Sequence, residues 1–342
     1  MILVTGGTGL VGSHLLFQLL KSNATIRAIY RNDNTLTDVK KVFSYYSEDY
    51  DTLFNNIEWV KADLNDVPQL QIAFTDITHV YHCAALVSFE PKAYKLLRKV
   101  NIEGTANIVN LCLTSKVEKL CYVSSIATMG KHADSEKLID EQTEWNAEND
   151  NSVYAITKYG AELEVWRGTQ EGLDAIIVNP GIIVGPGFWE STGSSSLFNK
   201  IYNGLPYYTN GVTGFIDVWD VINVMLKLMN GNSTNENFIL VSENLSFKSF
   251  FKRVASALNT KPPKKEAKPW LINLVWRLDW LKGKVLGQPR KLTKHTAKSI
   301  LSIDKYDASK IKSTIDFQFT PINDTIKSVS KLYLQDIKNS SL

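Results

Sequence analysis

The glycine-rich stretch at residues 2–12 restricts the fold of this chain more than any other feature. Its first three residues are apolar, as in a buried strand, and leucines with helical spacing follow from Leu10 onward. The turn between them has the pattern G-x-x-G-x-x-G, with glycines at Gly6, Gly9 and Gly12. Between a strand and a helix, such glycines allow a tight turn, close approach of backbone N–H groups to a pyrophosphate, and close packing of the helix on the strand. The stretch therefore predicts a dinucleotide-binding site rather than a plain glycine turn.

The chain has 342 residues and a net charge of +3, so it can bury a large core as one domain or two. That charge is too small to indicate a nucleic-acid partner. No apolar run is long enough to cross a bilayer, and the first strand begins too early for a signal peptide. We therefore expect a cytoplasmic protein with neither nucleic acid nor a membrane as its partner.

Metal chemistry is not indicated by the cysteines and histidines. Cys83, Cys112 and Cys121 lie in apolar segments without metal-ligand spacing, and the five histidines lack such spacing too. We expect reduced cysteines in the core and no metal site.

Strand-like and helix-like segments alternate through the first 185 residues. This alternation predicts an α/β fold of the Rossmann type, in which helices cover both faces of a doubly wound parallel sheet. The expected strands are residues 2–4, 24–30, 57–62, 79–85, 119–125 and 175–178, and the expected long helices are residues 36–46, 93–113 and 152–168.

After residue 185 the sequence changes to loops rich in Gly, Ser, Asn and Pro, followed by short elements. We therefore divide the chain into a dinucleotide-binding domain, residues 1–185, and a smaller, mainly substrate-binding domain, residues 186–342. Residues 215–242 are the part of the second domain that could return to the large sheet.

The end of the second strand bears on the choice of cofactor. NAD enzymes usually carry a carboxylate there for the adenosine ribose, whereas this chain has Arg31, whose guanidinium can bind a 2′-phosphate. This favours NADP over NAD. In the alternative, Arg31 is a solvated surface residue and Asp33 performs the acidic role. Asp63, after the third strand, could accept a hydrogen bond from the adenine amino group.

Tyr154 and Lys158 are four residues apart in an expected helix, which places a phenol and an ammonium on one face. The ammonium is expected to lower the tyrosine pKa from ~10 toward neutrality, which suits a general acid/base. The spacing alone is common on solvated helix faces. Here, however, Ser125 ends the preceding strand, where an α/β sheet forms its active site, and its hydroxyl can hydrogen-bond a substrate carbonyl oxygen. Ser124 is the neighbouring alternative.

Together these pieces resemble the extended short-chain dehydrogenase/reductases, which include the NAD-dependent epimerases and dehydratases. The likeness covers essentially the whole chain, is tight up to about residue 186 and is looser afterwards. It is carried, in the family's order, by residues 5–12, 63–64, 82–85, 101, 123–125, 154–158 and 179–181.

The resemblance implies a role for each matching residue. Ser125 is the catalytic serine and Tyr154 the acid/base, while Lys158 also holds the nicotinamide ribose. Asn101 resembles an asparagine of the family that is either structural or part of a proton relay. The implied cofactor contacts are Gly6, Thr8, Gly9, Leu10, Val11, Gly12, Arg31, Asp63, Leu64, Cys83, Ala84, Ala85, Tyr154, Lys158, Pro180, Gly181 and Ile182.

Within this family the chain is most similar to dihydroflavonol reductases and 3β-hydroxysteroid dehydrogenases, through Arg31 and the pair Asn179-Pro180. Nucleotide-sugar epimerases carry a diphosphate-binding arginine where this chain has Thr213, and Lys200 is another cation that could serve. The 4,6-dehydratases carry an Asp-Glu pair after the catalytic residue, where this chain has two apolar residues.

We therefore expect an NADP-dependent carbonyl reductase or alcohol dehydrogenase that acts on a small molecule. The alternatives are a nucleotide-sugar epimerase with tightly bound NAD and a non-catalytic cofactor-binding scaffold. A scaffold would need none of the three residues Ser125, Tyr154 and Lys158. Candidate substrate contacts are Ser88, Phe89, Ser125, Ile126 and Phe188. A homodimer is left open.

The last feature is a Trp-rich helix expected at residues 269–281, next to a basic connector. Such a helix could lie on a membrane surface. We prefer the interpretation that it packs on the substrate domain.

Overall fold

The computed structural model describes residues 1–132, 134, 136–190, 193–286, 290 and 292–340. Within these ranges the strands are β1 (Ile2–Thr5), β2 (Ile26–Tyr30), β3 (Glu58–Lys61), β4 (His79–His82), β5 (Lys119–Val123), β6 (Ala175–Pro180), β7 (Ile182–Val184), β8 (Tyr207–Tyr208), β9 (Val212–Asp217), β10 (Glu236–Leu240), β11 (Glu243–Ser246) and β12 (Lys265–Glu266). The α-helices are α1 (Leu10–Lys21), α2 (Leu36–Ser44), α3 (Tyr50–Asn55), α4 (Val67–Ala73), α5 (Tyr94–Leu97), α6 (Gly104–Thr114), α7 (Val153–Gln170), α8 (Ser196–Tyr202), α9 (Val218–Asn230), α10 (Phe247–Ala257), α11 (Pro269–Leu286), α12 (Lys294–Ser299), α13 (Ser309–Ile315) and α14 (Ile322–Ser340).

The large sheet is parallel throughout and has the strand order β3-β2-β1-β4-β5-β6-β10. The chain adds strands on one side of β1 first and on the other side from β4 onward, so the strand order reverses between β1 and β4. Open α/β sheets bind ligands in the crevice that this reversal creates at the carboxyl ends of the strands. The predicted doubly wound α/β fold is confirmed.

Alternate residues of the central strands face opposite layers of helices. Leu3 of β1 packs into one apolar core and Val4 into another. In β5, Leu120 and Tyr122 face the core that contains Leu3, whereas Cys121 faces the core that contains Val4. Because both faces are buried, these strands are continuous apolar runs in the sequence.

A smaller sheet with the order β7-β9-β11 packs with α8, α10 and α14 around a third core. Aromatic side chains fill that core, and the rings of Phe215 and Phe250 stack with their centroids 4.3 Å apart. After β9 the chain leaves this sheet: α9 packs on α1, and β10 adds to the large sheet beside β6, with Phe238 opposite Val178. The position of the domain boundary stays a prediction.

Two elements differ from the sequence expectation. β4 ends at His82 instead of residue 85, because only Cys83 still donates its N–H to the Thr5 carbonyl (3.2 Å) and the chain then turns away from the sheet. The single helix expected at residues 93–113 is interrupted by a π-helical turn, Arg98–Glu103, between α5 and α6. This turn contains Asn101, whose contacts are described below.

All three cysteines are free thiols, and Cys112 and Cys121 are buried. In the described part of the chain, no helix is both long and apolar enough to cross a membrane.

Candidate active site

The glycine turn after β1 has the tight geometry that its sequence predicts. Gly6 has a φ of +68°, and a Cβ at this position would lie 2.5 Å from the Ala84 backbone nitrogen. A Cβ at Gly12 would lie 2.1 Å from the Gly6 carbonyl oxygen. Both positions therefore exclude any side chain, since real Cβ contacts are never that short. These two glycines let α1 begin directly against the end of β1.

The start of α1 is built to receive an anion. Gly9 is the N-cap residue and supplies no capping side chain, and a Cβ there would meet only the Gly6 oxygen at 3.5 Å. The first N–H groups of the helix, at Leu10 and Val11, have no intrahelical partner. A helix N-terminus with an open approach stabilises phosphate oxygens through its N–H groups and its dipole. The turn therefore fits the diphosphate of a dinucleotide.

A cavity of about 180 Å³ lies at the switch point of the sheet. Most of the residues that line it lie at or just after the carboxyl ends of four neighbouring strands, β1 to β4, and Val100 comes from the π-helical turn. The lining residues are Gly6, Thr8, Gly9, Ile29, Tyr30, Arg31, Ala62, Asp63, Leu64, Cys83, Ala84, Ala85 and Val100. The structure therefore brings together most of the cofactor contacts that the sequence predicts.

Charged side chains stand at the open rim of this cavity. The Arg31 guanidinium lies 3.6 Å from the Asp63 carboxylate, and both side chains are substantially exposed. Asp63 also accepts hydrogen bonds from the backbone and side chain of Asn65, at 2.9 and 3.1 Å. Asp33 pairs with Lys61 at 2.7 Å, so its carboxylate already has a cation as a partner. Arg31 is thus the cation that lines the cavity itself.

The predicted catalytic pair lies beyond the ends of β5 and β4. Ser125 directly follows β5 as the cap of a short turn, where its Oγ accepts the Ala127 N–H at 3.1 Å. The Ser125 hydroxyl lies close to the Tyr154 phenol. Phe89 lies edge-on to the Tyr154 ring, with the centroids 5.4 Å apart. Ser124, the alternative, is buried, whereas Ser125 is half-exposed.

Lys158 is one turn further along α7 and is fully buried. Its Nζ donates to the Tyr122 hydroxyl at 2.5 Å and to the Val123 carbonyl at 2.9 Å. The ammonium also lies 4.2 Å from the centroid of the Tyr122 ring. Burial lowers the pKa of Lys158 to about 7, and the nearby Glu162 carboxylate opposes that shift.

The expectation that Lys158 lowers the pKa of Tyr154 is not met in this structure. Burial raises the pKa of Tyr154 above its ordinary value, and the nearby Ser125 hydroxyl opposes that rise. The reason is geometric, because the ammonium points toward Tyr122 and Val123. The helical spacing fixed the shared face correctly but did not fix the direction of the lysine side chain.

A buried polar network behind this site was missed from the sequence. Glu162, four residues after Lys158, accepts hydrogen bonds from Thr128 at 3.1 Å and from Asn179 at 2.5 Å. Burial raises the pKa of the Glu162 carboxyl. The i, i+4 spacing from Lys158 is the one signal that could have pointed to it.

His82 is buried on the other side of Tyr122. Its two ring nitrogens lie 2.6 Å from the Thr5 hydroxyl and 2.9 Å from the Thr105 hydroxyl, and its ring leans on Tyr122 with centroids 5.4 Å apart. Burial lowers the pKa of His82 to about 3, so the imidazole is neutral. The side chain joins the ends of β1 and β4 to α6.

Asn101 uses its amide to fasten the segment after β4. Its Oδ1 accepts the Leu86 N–H at 2.8 Å, and its Nδ2 donates to the Leu86 carbonyl at 3.0 Å and to Thr157 at 3.2 Å. Thr157 is the residue before Lys158, so this contact links the Asn101 turn to α7. Asn101 therefore positions the backbone on which Cys83 to Leu86 lie.

The other predicted contacts have varied surroundings. Pro180 ends β6, Gly181 donates to the Leu240 carbonyl at 3.0 Å, and Ile182 begins β7. The Ser88 hydroxyl accepts the Glu90 N–H at 3.2 Å. Ile126 is buried, whereas Phe188 is half-buried with a φ of +57°. Their roles toward substrate or cofactor stay predictions.

Comparison with known proteins agrees with this geometry. Residues 2–240 match the model of the NAD dependent epimerase/dehydratase family. A Synechocystis protein that bears the name dihydroflavonol 4-reductase is 28% identical over 315 residues, which cover 90% of this chain and 87% of that protein. Cinnamoyl-CoA reductase 1 of Petunia hybrida is 28% identical over 230 residues, which cover 65% of this chain and 66% of that protein.

Among solved structures, the protein gox2253 superposes on this fold with a TM-score of 0.80 and 25% sequence identity, covering 98% of both chains. The family match spans more than half of this chain, including the glycine turn, the switch-point cavity and the Ser125–Tyr154 pair. This chain therefore belongs to the NAD-dependent epimerase/dehydratase family and is an NAD(P)-dependent oxidoreductase of the extended short-chain dehydrogenase/reductase type.

Proposed function

We propose that this protein is an NADPH-dependent reductase of small carbonyl compounds, with Tyr154 as proton donor and Ser125 as the residue that orients the carbonyl oxygen. The observation that carries the proposal is the placement of Ser125 beside Tyr154 beyond the end of β5, with the buried Lys158 one turn away. The names of its relatives, dihydroflavonol 4-reductase and cinnamoyl-CoA reductase, support reduction rather than epimerisation.

A nicotinamide dinucleotide held by the glycine turn and the switch-point cavity would supply the hydride that reduces the carbonyl carbon. The side chains of this protein orient and protonate the substrate oxygen, on which negative charge develops during the reaction. Ser125 donates a hydrogen bond to that oxygen, which fixes the orientation of the carbonyl group. Tyr154 is positioned beside Ser125 to give the oxygen its proton, as a general acid must be.

The surroundings of Tyr154 favour this direction. Because burial raises its pKa above the ordinary phenol value, the side chain is protonated at neutral pH and holds the proton that reduction requires. Phe89 lies edge-on to the phenol, beside the position proposed for the reacting oxygen. Phe89 and the nearby apolar surface also suit a substrate with an aromatic ring, the class that both relatives' names suggest.

Preference for NADPH rests on Arg31. The guanidinium lines the cavity at the end of β2, where a 2′-phosphate would lie, and the nearby Asp33 carboxylate is paired with Lys61. A carboxylate that is already paired with a cation binds ribose hydroxyls less well than a free one. Arg31 in turn can exchange its long contact with Asp63 for a charge-assisted bond to phosphate.

The reaction class can be tested by following nicotinamide absorbance with a panel of aromatic ketones and aldehydes. We expect NADPH to be consumed in equal amount to the alcohol formed. UDP-glucose and related nucleotide sugars serve as the control panel. Turnover of a nucleotide sugar without net change in nicotinamide absorbance would instead identify an epimerase.

Removing the Tyr154 hydroxyl tests the proton donor. Tyr154→Phe keeps the ring and its contact with Phe89, and should lower kcat by ~10²–10⁴-fold because one general acid is lost. NADPH affinity should change little. The matched control is Tyr159→Phe on the same helix, whose ring stacks on Trp145. A Tyr154→Phe enzyme with near-normal kcat would remove Tyr154 from the mechanism.

Cofactor preference should depend on one side chain. We expect the protein to bind NADPH more tightly than NADH, and Arg31→Ala to weaken NADPH binding about ten- to a hundredfold, since a charge-assisted hydrogen bond is lost. NADH affinity in the same variant is the internal control and should hardly change. Equal affinity of the unmodified protein for both cofactors, measured by fluorescence titration, would contradict this proposal.

The hydrogen bond between Lys158 and Tyr122 should help to determine the pH above which the affinity for the cofactor falls. Lys158 binds the ribose best when protonated, so NADH affinity should fall as pH rises through its pKa of about 7. Tyr122→Phe removes an oxygen that accepts a hydrogen bond from the ammonium, which destabilises the charged form. The inflection should therefore move to lower pH, by about one unit.

NADH is the right probe for this measurement because it lacks the titrating 2′-phosphate. Tyr159→Phe, which removes a hydroxyl elsewhere on α7, should keep the wild-type profile. Identical pH profiles for Tyr122→Phe and the wild type would mean that Tyr122 does not control the charge of Lys158.

A further inference from the structure

The outer face of α11 carries a row of exposed apolar side chains. Trp270, Leu274, Leu278 and Leu281 are 65%, 46%, 56% and 50% exposed. Their spacing of four, four and three residues places them along one side of the helix. Contiguous exposed apolar surface of this kind marks a site of interaction.

The opposite side of α11 is the one that holds the helix to the protein. Ile272 is buried, and the Asp279 carboxylate accepts the Leu292 N–H at 2.8 Å. These two residues are seven apart and therefore share a face. The helix is thus fixed in orientation by its inner side, and the apolar row is directed away from the body of the protein.

Cations border this apolar row. Arg277 and Lys282 are exposed, and each lies three or four residues from leucines of the row. Lys261, Lys264, Lys265 and Lys268 are exposed immediately before the helix. Residues 261–298 contain eleven Lys and Arg but only two acidic residues, a net charge of +9 in a chain whose total is +3.

We propose that α11 binds the surface of an anionic lipid membrane, with its apolar row inserted into the interface and the surrounding cations at the headgroups. Interfacial helices combine a tryptophan-containing apolar face with Lys and Arg beside it. Cations near the surface contribute additional attraction to anionic lipid. The local excess of positive charge favours lipid over a second copy of this chain, which would bring two such regions of like charge together.

The proposal differs from the sequence expectation of packing on the substrate domain alone. Among the described apolar side chains of α11, Ile272 is buried, whereas Val275 and Trp280 are exposed like the row, so packing on the protein leaves most of this apolar surface uncovered. It is also independent of the proposed reductase activity, because membrane binding requires neither cofactor nor substrate.

Flotation of the full-length protein with vesicles tests the proposal. We expect the protein to float with vesicles of phosphatidylglycerol and phosphatidylcholine in equal parts, to float poorly with phosphatidylcholine alone, and to dissociate as salt is added. The double variant Leu274→Asn/Leu278→Asn should lower the partition coefficient about tenfold or more, because two apolar side chains no longer enter the interface.

The matched control is Leu96→Asn, because Leu96 of α5 is also a helical leucine and is likewise 56% exposed. It should float as the wild type does. Lys265→Gln/Lys268→Gln leaves the apolar row intact and should weaken binding to anionic vesicles about tenfold, with no effect on neutral ones.

Unchanged flotation of the leucine double variant would overturn the proposal, as would failure of the wild type to bind anionic vesicles. A wild-type protein that dimerises through this face instead, and becomes monomeric in the leucine variant, would identify a second copy as the partner. Thermal unfolding of each variant verifies that the fold is kept.

Discussion

The contact between the Gly6 carbonyl and Gly12 is the constraint on which the rest of the structure depends. It sets the distance between the end of β1 and the start of α1, because a side chain at Gly12 would collide with the Gly6 carbonyl. A side chain at Gly6 would collide instead with the backbone of Ala84 after β4. Because α1 begins so close to the strand, its unpartnered N–H groups lie at the carboxyl edge of the sheet. The crevice between β1 and β4 therefore follows from the topology of the sheet, and the N–H groups at its edge suit a phosphate group.

Burial affects the pKa values of the ionisable groups near Tyr154 more than charge pairing does. Lys158 and Glu162 are one turn apart and both buried, and burial drives the lysine pKa down and the glutamate pKa up. Each group therefore sits closer to its neutral form than it would in water. Neutral polar groups provide their hydrogen bonds. The Tyr122 hydroxyl accepts from Lys158, and the Thr128 hydroxyl and the Asn179 amide donate to Glu162. Such a site responds strongly to the loss of a single oxygen.

The sequence could predict what depends on local pattern. The glycine turn, the doubly wound sheet and the face shared by Tyr154 and Lys158 all follow from spacing. What it could not predict depends on contacts far apart in the chain. Asn101, in the π-helical turn, donates a hydrogen bond to Thr157, which is 56 residues away in the chain. Likewise, Lys158 of α7 can donate a hydrogen bond to Tyr122 only because β5 lies beneath α7. The direction of the Lys158 side chain, and hence the Tyr154 pKa, belongs to this second class.

The helix α11 and the proposed catalytic residues are linked through the segment that follows the helix. Arg290 pairs with Glu90 at 3.3 Å, and Glu90 is the residue after Phe89, whose ring contacts Tyr154. Lys294 of α12 pairs with Asp150 at 3.1 Å, just before the N-cap of α7. These ion pairs fasten the basic region to both sides of the Ser125–Tyr154 pair. The proposed membrane-binding helix is therefore connected, through the segment that follows it, to residues that flank the proposed active site.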